Sequence, residues 1–182
     1  MAQIRVTHAE QIEELFGATP RQAKVVLWRA INRAATAGQT RASVAIRKEY
    51  IIKAADVKKR IKIRKSTANN LSAQLRASGP VTPLMKFDVT PSFPGMMQVR
   101  ARVKKGGRKP IQNGFVTRTG NGHVNVFTRS GSSRLPIQGR YGPSIAQMMG
   151  KDEVVENIEQ HVQTKLDERL EHELDRLLRG EF

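Results

Sequence analysis

The side chains able to do chemistry in this chain are few, and their spacing is poor for it. Between residues 21 and 140 there are three carboxylates, Glu49, Asp56 and Asp88, among 26 Lys and Arg. Acid–base catalysis needs a pair of titratable groups held against each other, and an oxygen-ligated Mg²⁺ needs acids that converge. Three scattered acids in an excess of cations offer neither. His8, His123, His161 and His172 show no metal-ligand spacing, and the absence of cysteine removes thiolate sites, thiol nucleophiles and disulfides. The run from Gly142 to Gly150-Lys151-Asp152 is too long for a phosphate-binding loop, and Asp152 stands where Ser or Thr would hold Mg²⁺. Gly131-Ser132-Ser133-Arg134 lacks the flanking glycine and the strand-to-helix setting of a nucleophile elbow. The expectation is a non-enzyme with no cofactor and no metal.

What the residues do offer is charge. The 182 residues carry 32 Lys and Arg against 16 Asp and Glu, a formal net charge of +16. Residues 1–20 are net −2, residues 21–140 net +23, and residues 141–182 net −5. A basic body followed by an acidic segment fits contact with nucleic acid, or docking between oppositely charged surfaces of neighbouring subunits. The chain lacks the aromatic motif of an RRM, the GxxG loop of a KH domain, zinc-finger spacing and a heptad-linked basic helix. Trp28, Tyr50, Tyr141 and the six Phe are not interleaved with the basic stretches as stacking platforms would be. Non-specific phosphate contact remains open to it, because charge alone supplies that. No apolar run approaches the ~20 residues of a bilayer-spanning helix, and the N-terminus has no apolar core like that of a signal peptide. No membrane partner is expected.

The elements that must position these charges follow from caps and periodicity. Thr7-His8-Ala9-Glu10 reads as a capping box opening a first helix, with Ile12, Leu15 and Phe16 on one side and Gly17 ending it. Thr19-Pro20 then opens a long helix to about Lys48. Leu27, Ile31, Ala34, Gly38, Ala42 and Ala45 share one face of it, which turns from large to small along its length. Small residues let another backbone approach, so Ala34, Gly38 and Ala42 are candidate contacts. Arg29 and Arg33 form a basic ridge elsewhere on the helix. Gly38 costs about 1 kcal/mol relative to Ala, so a break there is possible.

Lys53 to Arg60 reads as a short helix or turn. Arg60-Ile61-Lys62-Ile63-Arg64 alternates with period two, as a half-buried strand does. Leu71 to Ala77, Leu84 to Val89 and Gln98 to Lys104 are further strand candidates. Lys104-Lys105-Gly106-Gly107-Arg108-Lys109-Pro110 reads as a flexible basic loop. Its Lys104, Lys105, Arg108 and Lys109 are expected to form a contact arm that stays hydrated until acidic partners meet it. Gly114 to Thr119 and His123 to Arg129 form a strand pair, with a third strand near Leu135 to Gln138. Pro143 opens a short helix through Met149. From Lys151 to Arg179, Val155, Ile158, Val162, Leu166, Leu170, Leu174 and Leu177 recur about every 3.7 residues, the period of an ordinary straight helix. That helix is net −4 and is expected to pack on the basic body of its own or an adjacent subunit. The fold class is α+β, with long N-terminal helices, a small mainly antiparallel sheet and a long C-terminal helix. Residues 1–150 form the basic body, and residues 151–182 the acidic helix.

Particular stretches also resemble a known family. Arg29-Ala30-Ile31-Asn32-Arg33-Ala34-Ala35-Thr36 is similar to the prophage minor tail protein Z family of tailed bacteriophages. So are Ile46-Arg47-Lys48-Glu49-Tyr50, Ile52 to Val57, Arg60 to Arg64 and Leu71 to Gly79. The likeness continues through Val103 to Lys109, Gly114-Phe115-Val116, Arg134 to Ile137 and Tyr141 to Ser144, covering about residues 25–150. The resemblance implies a virion structural protein of tail completion, at the head-proximal end of the tail or in the neck, needed to join tail to head. It implies a homo-oligomeric ring, of six subunits by analogy with other neck components; the residues themselves suggest that such a ring forms through the sheet edges and the small-residue face around Ala34, Gly38 and Ala42. It also implies neighbours among tail terminator, tail tube or head–tail connector proteins, non-specific contact with DNA in the channel, and assembly in the host cytoplasm. It brings no catalytic residues. Two other readings remain: a basic DNA-binding or packaging-associated protein, whose binding would weaken steeply with salt, and an assembly chaperone absent from finished particles.

Overall fold

The computed structural model describes residues 2–7, 20–95 and 98–180. The helix expected over residues 7–17 lies almost wholly outside them. The described elements run β1 (Ala2–Thr7), α1 (Pro20–Glu49), α2 (Ala54–Arg60), β2 (Ile61–Arg64), β3 (Ser72–Ala77), β4 (Thr82–Pro83), a 3-10 turn (Leu84–Lys86) and β5 (Asp88–Thr90). Then come β6 (Arg100–Arg102), β7 (Lys109–Pro110), β8 (Phe115–Arg118), β9 (Val124–Arg129), β10 (Ile137–Gly139), β11 (Tyr141–Gly142), α3 (Ile145–Met149) and α4 (Asp152–Leu178).

The architecture is α+β, as the sequence predicts, but the strands form four small antiparallel sheets and not one. Their orders are β1-β3-β2, β5-β6-β7, β8-β9-β10 and the pair β4-β11. The prolines between residues 80 and 94 and the glycine-rich loops keep most strands to two to four residues, too short to merge.

The organising contact is between the two long helices, which run antiparallel. Glu49 meets Lys151, Arg41 meets Asn157, Gly38 meets Val162 and Arg29 meets Glu173, so positions that fall along α1 rise along α4. α1 is unbroken at Gly38. A Cβ there would lie 2.6 Å from Val162 Cγ2 and 3.2 Å from Leu75 Cδ1, so glycine is what lets α4 and β3 close on the helix together. The buried stripe Val154, Ile158, Val162 and Leu166 of α4 and the buried Ala73, Leu75 and Ala77 of β3 therefore share one core with Leu27, Ile31, Ala34 and Ala42. The result is a two-layer unit, with both helices on one face of β1-β3-β2.

Side-chain amides stitch the layers where backbone groups would otherwise be stranded. Asn32 Nδ2 donates to the Ser66 carbonyl at 3.0 Å, and its Oδ1 accepts from the Ser66 amide at 2.8 Å. Gln39 Nε2 donates to the Ile61 carbonyl at 2.7 Å. Asn125, fully buried, donates to the Arg140 carbonyl at 2.9 Å and joins the β8-β9-β10 sheet to the strand that follows it. The short helix α3 starts at a capping box, Ser144 with Gln147, one residue beyond the Pro143 that signals it in the sequence.

Candidate partner-binding surface

The three carboxylates of residues 21–140 each hold a cation. Glu49, at the C-terminal end of α1, bonds Lys104 Nζ at 2.6 Å and Lys151 Nζ at 2.6 Å. The Tyr50 ring lies beside both ammonium groups, at 5.7 and 5.1 Å from its centroid, within cation–π range. Hydrogen bonds from Lys104 and Lys151 hold the Glu49 carboxyl below its ordinary range, and Glu49 in turn pushes the Lys151 ammonium up. Asp88 takes Arg108 at 2.9 Å and Arg102 at 2.8 Å, and those two guanidinium groups lower its pKa. Asp56 pairs with Lys86 at 2.9 Å.

These ties change the reading of the basic loop. Residues 104–110 are all exposed, as expected of a contact arm. Two of its four cations, Lys104 and Arg108, nevertheless already have acidic partners within the chain. Lys105 anchors through its backbone, whose N–H donates to the Glu49 carbonyl at 2.7 Å, so its side chain is outside that tie. Lys109 is fixed by register, opposite Ala101 in the β6–β7 pair. Beneath the loop lies a groove of about 560 Å³, floored by Tyr50, Leu84, Val103 and Ile111 and rimmed by Lys105 and Lys109.

The other sequence candidates are placed elsewhere. Ala34, Gly38 and Ala42 are buried inside the chain, under α4 and β3, and leave no surface for a neighbouring subunit. The chain's own C-terminal helix fills the face that small residues open. Arg29 lies 3.7 Å from Glu173, a carboxylate 2% exposed that is also ringed by Arg169 at 3.1 Å and Arg176 at 3.6 Å. Arg33 is exposed on α1. Some 20 residues of helix, about 30 Å, separate Arg29 from the loop at Glu49, so the two sets are not one site. Among the described residues no three His, Asp or Glu side chains gather as a metal site would.

Sequence reasoning missed Glu49 and Asp88 as anchors, because each bonds residues on other elements. It also missed Glu173, since nothing in a run of exposed acids marks the one that turns inward.

The family model described as prophage minor tail protein Z (GPZ) matches residues 9–181. No curated protein and no solved structure matches the chain.

Proposed function

We propose a role in completing the tail, on the premise that this chain belongs to the prophage minor tail protein Z family, and is therefore a structural component of a phage tail. Within the particle it acts without catalysis, at the head-proximal end of the tail or in the neck, as a ring of copies that makes the tail competent to join the head. The observation that carries this reading is the family match along almost the full chain, on a subunit whose Glu49 and Asp88 tie its own elements together. Tail terminator, tail tube and head–tail connector proteins are the neighbours such a position provides. The subunit assembles in the host cytoplasm.

Deleting the gene should leave full heads and complete-length tails in the lysate but few infectious particles. Normal plating efficiency after deletion would contradict the assignment. The loop is tested by Lys105→Glu with Lys109→Glu, which spares the tied Lys104 and Arg108. The monomer should fold normally, and head–tail joining should fall at least tenfold.

The net +23 of residues 21–140 favours one further reading, a protein that grips DNA during packaging. That reading requires binding to duplex DNA that weakens steeply as salt rises, with a log–log slope of several charges. A chain that retains joining activity and shows no such slope is a structural subunit.

A further inference from the structure

The outer face of the β1-β3-β2 sheet and the outward arc of α4 carry opposite charge, whereas the exposed charged positions of α1 (Arg21, Lys24, Arg33, Arg47 and Lys48) are basic. On the sheet side, Ile61 of β2 points inward, while Lys62 and Arg64 are exposed on the outer face, flanked by exposed Lys58, Lys59 and Lys65. Lys62 lies directly opposite Arg76 in the β2–β3 register.

On the helix side the sorting is sharper. At 100° per residue, the arc of α4 opposite Val154, Ile158, Val162 and Leu166 carries Glu153, Glu156, Asp167, Glu171 and Asp175, all exposed. The bases of the same helix lie elsewhere: Lys165, Arg169 and Arg176 fall on the same side as the buried stripe and are only partly exposed. Lys165 bonds Glu168, and the two arginines are occupied by Glu173. From Glu153 to Asp175 the outward arc is acidic or neutral over about 33 Å.

We propose that the basic sheet face of one copy, centred on Lys62 and Arg64, docks on the acidic outer arc of α4 of the next copy. Both helices cover the same side of β1-β3-β2, so the two faces look in opposite directions and pair head to tail. Such a heterologous contact closes into a ring when each step turns through the right angle. The proposal rests on the ring reading above and supplies its interface. A second copy is favoured over DNA because it satisfies both faces at once. A duplex on the sheet face would leave each acidic arc without a complement.

The chain has no cysteine, so introduced thiols report on one pair of positions alone. Particles carrying Lys62→Cys with Asp167→Cys, treated with a short bis-maleimide, should yield a ladder of covalent multimers ending at the ring's subunit number. Each single variant should yield none above background. In a second arm, Lys62→Glu with Arg64→Glu should lower incorporation at least tenfold. Co-expression with copies carrying Asp167→Lys and Glu171→Lys should restore it, because the two kinds of copy can then alternate. If the double-cysteine chain is incorporated and gives no ladder, the proposal is overturned. An amine-reactive cross-linker applied to wild-type particles separates the two failures. Amine multimers without the thiol ladder leave the ring standing and remove this interface, whereas no multimers with either reagent removes both. If Lys62→Glu with Arg64→Glu is incorporated normally but the purified chain loses salt-sensitive binding to duplex DNA, the face is a DNA surface and the proposal is also overturned.

Discussion

Gly38 and Glu49 show how much of this subunit rests on single positions. At Gly38 the helices are close enough that any side chain must displace Val162. Gly38→Leu should destabilise the folded chain by about 3 kcal/mol, the upper end of overpacking costs. Adding Val162→Ala should recover part of that loss in thermal melts. Glu49 and Asp88 make a prediction in pH. Their carboxyls are held below the ordinary values of 4.5 and 3.8, so they stabilise the fold above those values. That contribution is lost as pH falls through the lower folded pKa. Replacing both with their amides, Glu49→Gln and Asp88→Asn, should cost about 1 kcal/mol at pH 7, since the pairs are partly exposed. The difference from wild type should shrink as pH falls below 4.5 and 3.8 and vanish once pH is below the lowered folded pKa values; a gap independent of pH would mean that these pairs do not act as charges. The chemistry of both residues was visible in the sequence but their partners were not. Lys104 lies 55 positions beyond Glu49, and only the folded chain brings them together.

The long helices were legible because each writes its burial as a repeat. Leu27, Ile31, Ala34 and Gly38 give one side of the contact, and Ile158, Val162 and Leu166 give the other. The identity of the cover was not legible, because a stripe of small residues accommodates a neighbour's backbone as readily as the chain's own. β1 went unread although Ile4 and Val6 alternate, since its pairing with β3 joins segments some 70 residues apart. The division of the strands into four small antiparallel sheets was not legible for the same reason: register between distant strands leaves no local mark. At this scale the test is removal of residues 151–182. The cut strips the cover from Ala34, Ala42 and Ile46, so the shortened chain should be insoluble or lose its cooperative melt. A truncated chain that melts cooperatively near the wild-type temperature would mean that α4 is an appendage.

As a whole, the subunit is a basic body with one acidic helix folded across it. Internal ion pairs occupy the acids near the loop, the outer face of the sheet and the exposed side of α1 are basic, and the outward arc of α4 is acidic. Net charge and its asymmetry were readable from composition, but their arrangement on two faces required the fold, because β2 and α4 are some 90 residues apart in the chain. The central claim is that this tail component sits in a ring at the head-proximal end of the tail. The most direct measurement is an electron cryomicroscopy reconstruction of the neck of intact particles. The account predicts a ring there, with each copy showing α1 and α4 as an antiparallel pair over β1-β3-β2, and six copies as the expected number. Finding the chain at the distal tip, or absent from particles that are fully infectious, would contradict it.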